Sequence, residues 1–193
     1  MSTELSDSVI ITLVLNGNQQ AYAMLVNRYQ QFVFTLVLRI VPSREEAEEI
    51  AQDVFVKAYK SLAGFNGTSK FSTWLYTIAN NTALSFLRKK KIPLQSLDNE
   101  QTMFEADSKD SGMQANLIEQ KSKSHMLTSA IALLSADDAH IITLFYKAEQ
   151  TLEEIGQILG IENSAVKVRL FRARNRLKEK LETNFKQELI DIR

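Results

Sequence analysis

Basic residues crowd the last predicted helix of the chain, and their spacing suits contact with the phosphates of duplex DNA. Residues 164–180 contain seven lysines and arginines and one glutamate. At helical spacing they lie on two flanks of an apolar stripe: Arg169, Arg172 and Arg176 on one flank, and Lys167, Arg174 and Lys178 on the other. Such a helix packs its apolar edge on a domain while its cationic side chains neutralise phosphates on both sides of a groove.

The residues near the start of this helix are placed to read base edges. Ser164, Ala165 and Val168 point away from the apolar stripe, and Val168 suits contact with a thymine methyl group. Just before them, residues 152–159 have the pattern of a short amphipathic helix, and Gly160 supplies a turn with positive φ. A short helix, a glycine turn and a basic helix together predict a helix-turn-helix, whose second helix enters the major groove.

A second block, residues 65–91, combines aromatic rings and paired asparagines with a basic cluster at Arg88–Lys91. Aromatic rings stack on unpaired bases, at about 1–3 kcal/mol per base, and lysines neutralise the backbone of the strand. The block therefore predicts contact with single-stranded DNA. Taken singly, Phe71, Trp74 and Phe86 are more readily explained as core residues of a helix.

The charge of the chain is segregated although its net value is zero. Balancing acid lies at Glu45–Glu49 and in residues 98–119, where six acidic residues accompany one lysine. Segregated charge favours separate surfaces for separate partners, and the basic surfaces suit nucleic acid. The glutamates have a second interpretation, because acidic residues also stabilise the N-terminus of a helix.

Several classes of function are disfavoured by what the sequence lacks. There are no cysteines, so disulfides, thiolate metal sites and cysteine nucleophiles are excluded. The two histidines, His125 and His140, have no partners nearby that would complete a metal site, and no glycine-rich phosphate loop occurs. The apolar run Val9–Leu15 is too short to span a bilayer. We therefore expect a cytoplasmic protein with no catalytic residue, no cofactor, no metal and no membrane insertion.

The elements that must position these residues are helices. Two prolines and six glycines among many leucines, alanines, glutamates and lysines predict an all-α protein. We predict two small helical domains, residues 1–91 and 118–193, joined by an acidic, flexible linker at residues 92–117. Helix starts are predicted at Asn18, at Ser43 with Glu46, at Ser135 with Asp138, and at Thr151 with Glu154.

Two separate blocks of this chain resemble extracytoplasmic-function (ECF) sigma factors of RNA polymerase. Residues 53–59 (DVFVKAY), 71–81 (FSTWLYTIANN) and 87–90 (LRKK) look like region two of that family. Residues 153–160 (EEIGQILG) and 166–174 (VKVRLFRAR) look like region four. The resemblance covers about residues 5–91 and 118–182, in the family's order and with a linker between. It implies a factor that binds core RNA polymerase, directs it to promoters and promotes strand opening.

The resemblance also implies roles for individual residues. The surface that binds the clamp helices of the polymerase β′ subunit would comprise Glu49, Gln52, Asp53 and Lys57. The pocket for a base flipped out of the −10 element would comprise the loop at residues 65–70, with Phe65, Asn66, Ser69 and Lys70, together with Asn81. The adjacent Asn80 would also contact the −10 element. Contacts along the melted strand and its upstream edge would come from Trp74, Tyr76, Arg88, Lys89, Lys90 and Lys91. The −35 element would meet Lys167, Arg169, Phe171 and Arg172, beside the Ser164, Ala165, Val168 and Arg176 already identified.

Further partners follow from the same resemblance. They are the polymerase β flap, promoter DNA both as a duplex and as a melted single strand, and an anti-sigma factor. The acidic linker would lie in the polymerase cleft, or serve only as a solvated tether. Val168 stands where relatives often carry a small polar residue, which leaves the −35 preference open. The alternative is a stand-alone helix-turn-helix regulator, which would leave residues 65–91 unexplained.

Overall fold

The structure is a computed structural model that describes residues 5–91 and 125–186, all of them in helices or in the turns that connect helices. The predicted all-α class and the helix-turn-helix are confirmed. The predicted linker at residues 92–117, and residues 118–124 of the predicted second domain, lie outside the described residues. Within the described ranges, no helix is both long enough and apolar enough to cross a membrane.

The first domain is a bundle of four helices. They are α1 (Asp7–Leu15), α2 (Tyr22–Ile40), α3 (Arg44–Ser61) and α4 (Phe71–Lys91), with short 3₁₀ turns at Gln19–Ala21 and Leu62–Gly64. Helices α2, α3 and α4 pack against one another around a core that contains Leu25, Leu36, Val54 and Leu75. The helices form because apolar residues recur every three or four positions, and burial of that stripe stabilises each helix.

The second domain carries the helix-turn-helix. Helix α5 (residues 125–132) is followed by α6 (Ala136–Tyr146), α7 (Leu152–Leu159) and α8 (Asn163–Asn184). Helices α6 and α7 pack on α8 around Ile142, Leu144, Ile155, Ile158 and Leu170, which are buried. The two domains also contact each other: α4 packs on α7, and α2 packs on α6.

Most of the predicted helix starts are confirmed. The side chains of Ser43, Ser135 and Thr151 each accept a hydrogen bond from the backbone N–H three residues later, which satisfies a donor that the helix leaves free. Thr151 and Glu154 form a full capping box, in which each side chain accepts a hydrogen bond from the backbone N–H of the other residue. At Ser43 only the first of these two bonds forms. The prediction that Glu46 completes a box there is wrong, because its carboxylate instead contacts Lys90 Nζ at 2.5 Å.

Two glycines make the turn between α7 and α8 possible. Gly160 ends α7 with φ of 64°, a left-handed conformation that glycine adopts without strain. Gly156 serves a different purpose, because the Ile161 N–H donates to its carbonyl and brings the turn back onto the helix. A Cβ atom at position 156 would lie 2.9 Å from the backbone oxygen of Ile161. The sequence pattern identified Gly160 but gave no sign of this close approach at Gly156.

We predict that Gly156→Ala destabilises the second domain by about 1–3 kcal/mol, because the added methyl group must push the turn away from α7. The measurement is urea unfolding followed by circular dichroism. Gly64→Ala is the matched control, since a Cβ atom at position 64 meets nothing within 4 Å and its φ is not positive. Equal stability of the Gly156 variant and the control would contradict the assignment.

Candidate nucleic-acid interface

Helix α8 presents one apolar edge to the domain and its remaining surface to solvent. Val166, Leu170, Ala173 and Leu177 are buried, as the predicted stripe requires. Phe171 is 65% exposed and Val168 is 49% exposed, although both are apolar. Exposed apolar side chains on an otherwise basic helix are suited to contact with the methyl groups and edges of bases.

The cationic side chains of α8 divide into two groups. Lys167, Arg169 and Arg172 are exposed, and Ser164 lies near them at the start of the helix, also exposed, beside half-buried Ala165. Arg176 instead donates to the Asp138 carboxylate at 2.6 Å, which holds α8 against the start of α6. The guanidinium of Arg174 lies 4.7 Å from the ring centre of Phe145 and 5.3 Å from that of Tyr146.

The partner of Arg176 changes the interpretation of its role. A charged hydrogen bond to Asp138, whose side chain is 10% exposed, stabilises the domain and reduces the availability of Arg176 for DNA. We therefore treat Arg176 as a residue that positions α8, and Lys167, Arg169 and Arg172 as the cations available to phosphates or bases.

Helix α4 carries an outward strip formed by Trp74, Asn81 and Arg88, which are seven residues apart and therefore share one face. Asn81 and Arg88 are exposed and Trp74 is half-buried. The Trp74 ring lies 5.2 Å from that of Phe65, and both rings contact Phe71 in the core. This aromatic triangle joins the loop after α3 to the first turn of α4.

The loop between these helices, residues 65–70, is shaped by its own polar groups. Asn66 Oδ1 accepts hydrogen bonds from the Thr68 N–H at 3.1 Å and from the Thr68 hydroxyl at 2.8 Å, a local turn of the kind asparagine favours. Ser69 is half-buried. Lys70 Nζ lies 3.1 Å from the Glu154 carboxylate of α7, so it contacts the second domain.

The prediction that Tyr76 lies along a melted strand needs correction. Tyr76 is only 4% exposed, and its ring packs against Phe32 at 5.0 Å and Tyr29 at 6.3 Å. A ring enclosed in this way has no free face for a base. The aromatic content of residues 65–91 did not reveal which rings are buried, because that content is the same whichever face of α4 each ring occupies.

The basic end of α4 is partly engaged within the first domain. Arg88 and Lys89 are exposed, whereas Lys90 contacts Glu46 and lies 5.9 Å from the Phe86 ring centre. The side chain of Lys91 lies outside the described residues. Among the side chains of this cluster that the structure describes, Arg88 and Lys89 thus stay available to DNA.

The acidic surface of α3 faces solvent. Glu49, Gln52 and Asp53 are exposed on the side of the helix opposite its buried residues. Lys57 lies on the same side, 3.7 Å from the Asp53 carboxylate and 3.4 Å from the Thr82 hydroxyl of α4. The four residues predicted to bind polymerase therefore form one continuous exposed surface.

The contact between α4 and α7 was not anticipated from the sequence. The Thr73 hydroxyl donates to Gln150 Oε1 at 2.9 Å, and Asn80 Nδ2 donates to the Ile158 carbonyl at 3.1 Å. Thr73, Asn80 and Gln150 are all at most 5% exposed. Asn80 was predicted to meet the −10 base, and here it is buried between the domains. Nothing in the sequence around Gln150 indicates this role, because its partner is 77 residues away.

A buried histidine lies at the second contact between the domains. His140 of α6 is enclosed near Leu36 and Arg39 of α2, and neither ring nitrogen makes a hydrogen bond of normal geometry. Burial lowers the pKa of His140 to about 4, and the positive charge of Arg39 acts in the same direction. The Leu36 backbone opposes these effects but is outweighed. Among the described residues, no group of three acidic or histidine side chains could hold a metal ion.

We predict that His140 makes stability depend on pH. In the unfolded chain its pKa is near 6.5, so protons bind the unfolded state first as the pH falls. The stabilisation is complete above pH 6.5 and is lost as the pH falls from 6.5 to about 4, by about 3 kcal/mol. Urea unfolding at a series of pH values measures this slope. His140→Leu should flatten it, and His125→Gln, at an exposed histidine, should not.

Two family descriptions match this chain. Residues 25–92 match Sigma-70 region 2, and residues 130–179 match Sigma-70, region 4. The two matches contain α4 and the helix-turn-helix respectively, in the order predicted from the sequence.

Relatives match along nearly the whole chain. The ECF RNA polymerase sigma-E factor of Escherichia coli is 35% identical over 191 residues, which cover 94% of this chain and 97% of that protein. The ECF RNA polymerase sigma factor SigW of Bacillus subtilis is 35% identical over 177 residues, which cover 89% of this chain and 94% of that protein.

Solved structures share the fold. The sigma factor RpoE from Bartonella quintana, in complex with the anti-sigma factor NepR, has a TM-score of 0.65 at 23% identity and covers 84% of this chain and 98% of its own. CnrH, in complex with the cytosolic domain of CnrY, has a TM-score of 0.61 at 21% identity, with coverage of 92% and 98%.

Proposed function

The chain belongs to the family of ECF RNA polymerase sigma factors, and on this premise we propose how its surfaces divide the recognition of polymerase and promoter. As a member of that family it is an alternative sigma factor that directs RNA polymerase to promoters. The residues that carry out each step are our proposal, and so are the domain boundaries at residues 91 and 118.

Helix α8 is the surface for the −35 element. The observation that carries the proposal is its exposure: Val168, Phe171 and Arg172 face solvent together while the opposite edge of the helix is buried. Lys167 and Arg169 hold phosphates, because they flank this exposed group. Arg176 fixes the angle of the helix through Asp138.

The outward strip of α4 and the loop at residues 65–70 are the surface for the −10 element. Asn81 offers an exposed amide to a base edge, and Phe65 with Trp74 offers ring faces beside it. Arg88 and Lys89 neutralise the backbone of the strand. A base bound here must have left the duplex, so its binding free energy favours the melted promoter.

The exposed face of α3 is the surface for core polymerase. Glu49, Gln52 and Asp53 present acid and amide groups to a partner, and Lys57 orders the Asp53 carboxylate from within the same helix. Because Glu49, Gln52 and Asp53 are exposed, and Lys57 reaches α4 only through the Thr82 hydroxyl, binding to polymerase leaves both DNA surfaces in place.

The chain and the polymerase have different tasks in transcription. The polymerase makes the RNA, and this chain selects the promoter without catalysing a covalent step. It acts in the cytoplasm, where its partner polymerase is found, and an anti-sigma factor controls its release. The stand-alone regulator is disfavoured because the exposed strip on α4 has no use on duplex DNA.

Run-off transcription tests the proposal as a whole. Purified core polymerase is incubated with bacterial promoter fragments, with and without the full-length chain. New transcripts that begin downstream of a shared pair of sequence elements are expected only when the chain is present. Duplex binding by the chain alone, without any complex with core, would instead support a stand-alone regulator.

We predict that Asp53→Arg lowers the affinity for core polymerase about tenfold, because it reverses the charge of an acidic surface whose partner is expected to be cationic. Fluorescence anisotropy of labelled chain titrated with core measures the change. Glu179→Arg adds the same charge at an exposed position on α8 and should leave core affinity unchanged. Equal affinities of the wild type and the Asp53 variant for core would show that this face of α3 does not bind polymerase.

We predict that Arg172→Ala weakens binding of the holoenzyme to its −35 element by about 1–3 kcal/mol at one base pair, since a guanidinium reads a guanine through two hydrogen bonds. Competition with single-base variants of the element identifies the base. A loss that is the same for every sequence would assign Arg172 to a phosphate. Lys180→Ala, at an exposed lysine on the far half of α8, serves as the control.

A further inference from the structure

Helix α1 lies before the residues that match Sigma-70 region 2, and a polar cluster joins it to α2. The Asp7 carboxylate accepts hydrogen bonds from the Arg28 guanidinium and, at 2.5 Å, from the Tyr29 hydroxyl. Arg28 also donates to the Leu5 carbonyl at 2.8 Å. The side chains of Arg28 and Asp7 are only 26% and 25% exposed, so their charged hydrogen bond is stronger than that of a fully solvated pair. We call Asp7, Arg28 and Tyr29 the Asp7 cluster.

The ring of Tyr29 extends from this cluster toward the surface for the −10 element. Its centre lies 5.6 Å from that of Phe71, the first residue of α4. The buried Phe71 ring in turn lies 5.8 Å from the Phe65 ring and 5.6 Å from the Trp74 ring, measured between centres. Phe65 and Trp74 are the rings assigned above to an unpaired base. A continuous series of ring contacts therefore joins the Asp7 cluster to the site of that base.

The Tyr29 side chain is held at its hydroxyl end and along its ring. Asp7 accepts the hydroxyl hydrogen bond, and the buried Tyr76 ring of α4 lies edge-on, with 6.3 Å between the ring centres. Burial raises the pKa of Tyr29, and the hydrogen bond to Asp7 acts in the same direction, so the hydroxyl keeps its proton and remains a donor at neutral pH. A ring packed in this way cannot shift without breaking the hydrogen bond or opening a void.

We propose that Tyr29 and Asp7 are positioning residues for the −10 element. The hydrogen bond between them fixes the tyrosine ring against Phe71, which in turn holds Phe65 and Trp74 in place for an unpaired base. Rings that are already in their binding positions lose little conformational freedom when the strand arrives, and this preorganisation strengthens binding. The proposal rests on the function assigned above, and it gives α1 a part in promoter opening.

The Asp7 cluster acts on one of the three proposed surfaces. The hydrogen bond and ring contacts of Tyr29 are made to α1 and α4. Gln52 and Asp53 of the polymerase surface lie on the exposed face of α3, and the surface for the −35 element lies on α8. Loss of the Tyr29 hydroxyl should therefore weaken binding of the melted strand while binding of core polymerase and of −35 duplex persists.

Tyr29→Phe tests the positioning role, since it removes the hydrogen bond and keeps the ring. The probe is a labelled non-template-strand decamer that carries the −10 element found by run-off transcription, and the protein is the full-length chain saturated with core polymerase. We expect about threefold to tenfold weaker binding, because a ring without its anchor must be ordered again when the strand binds. Affinity for core and for a −35 duplex should each stay within about twofold. Unchanged affinity for the decamer would overturn the proposal.

Tyr22→Phe is the matched control. Tyr22 lies on the same helix and also donates a hydroxyl hydrogen bond, to the Phe55 carbonyl at 2.8 Å. Its ring contacts Tyr59 of α3, with 4.9 Å between the ring centres. Binding of the decamer should therefore be the same in this variant as in the wild type. An equal loss in the two variants would contradict a specific role for Tyr29.

An abasic decamer separates positioning from a general loss of stability. Removal of the base that enters the site should weaken binding to the wild type about tenfold, because the stacking of that base is lost. In Tyr29→Phe this penalty should shrink about threefold or more, since displaced rings gain less from the base. A loss that is equal for intact and abasic decamers would contradict positioning. If the wild type shows no penalty at any position of the element, the assigned base site is wrong, and the proposal is overturned with it.

Asp7→Ala removes the same hydrogen bond from its other end. It should also weaken binding of the decamer, and the double variant with Tyr29→Phe should bind no more weakly than Asp7→Ala alone. Additive losses would assign the two residues to separate interactions and contradict the proposal. Because an acidic residue in the first turn also stabilises α1, urea unfolding must show that Asp7→Ala is folded under the assay conditions. If it is not, Tyr29→Phe with the abasic decamer decides the question.

Discussion

Helix α4 is the element on which both domains and both DNA surfaces depend. Its buried residues Leu75, Ala79 and Ala83 pack on α2 and α3, and this burial fixes the axis of the helix within the first domain. A second face bonds to α7 through Thr73 and Asn80, and only the remaining strip faces solvent. Because 3.6 residues complete a turn, a side chain on one of these faces is unavailable to the others. The single helix therefore couples core packing, domain contact and the binding of a strand.

The polar groups of the domain contact make it specific. Thr73, Asn80 and Gln150 are buried, Thr73 donates to Gln150 and Asn80 donates to the Ile158 carbonyl, so an arrangement that separated these partners would have to replace their hydrogen bonds. The buried His140 adds a constraint of another kind, since the α2–α6 contact requires its neutral form. Polar groups with defined partners thus select one arrangement of the domains.

The segregated charges of the chain serve the fold as well as its partners. Arg176 holds α8 to α6 through Asp138, and Lys90 holds α4 to α3 through Glu46. Among the exposed cations of the two proposed DNA surfaces, Lys167, Arg169 and Arg172 lie on α8, and Arg88 and Lys89 lie on α4. The acidic face of α3 lies apart from both, so the two DNA surfaces are basic and the polymerase surface is acidic. A net charge of zero conceals this division.

The sequence by itself determined whatever depends on residues within about four positions of one another. The helices, the caps at Ser135 and Thr151, the left-handed Gly160 and the buried stripe of α8 are all local, because backbone bonds and side-chain faces in a helix repeat every three to four residues. Only the tertiary structure decided the placements that join distant segments. Tyr76 packs in the core against Phe32. The Glu46 carboxylate accepts a hydrogen bond from Lys90, 44 positions later, and the Asn80 side-chain amide donates to the carbonyl of Ile158, 78 positions later. Such contacts depend on how the helices pack in three dimensions, and the spacing of residues along one helix carries no record of that packing.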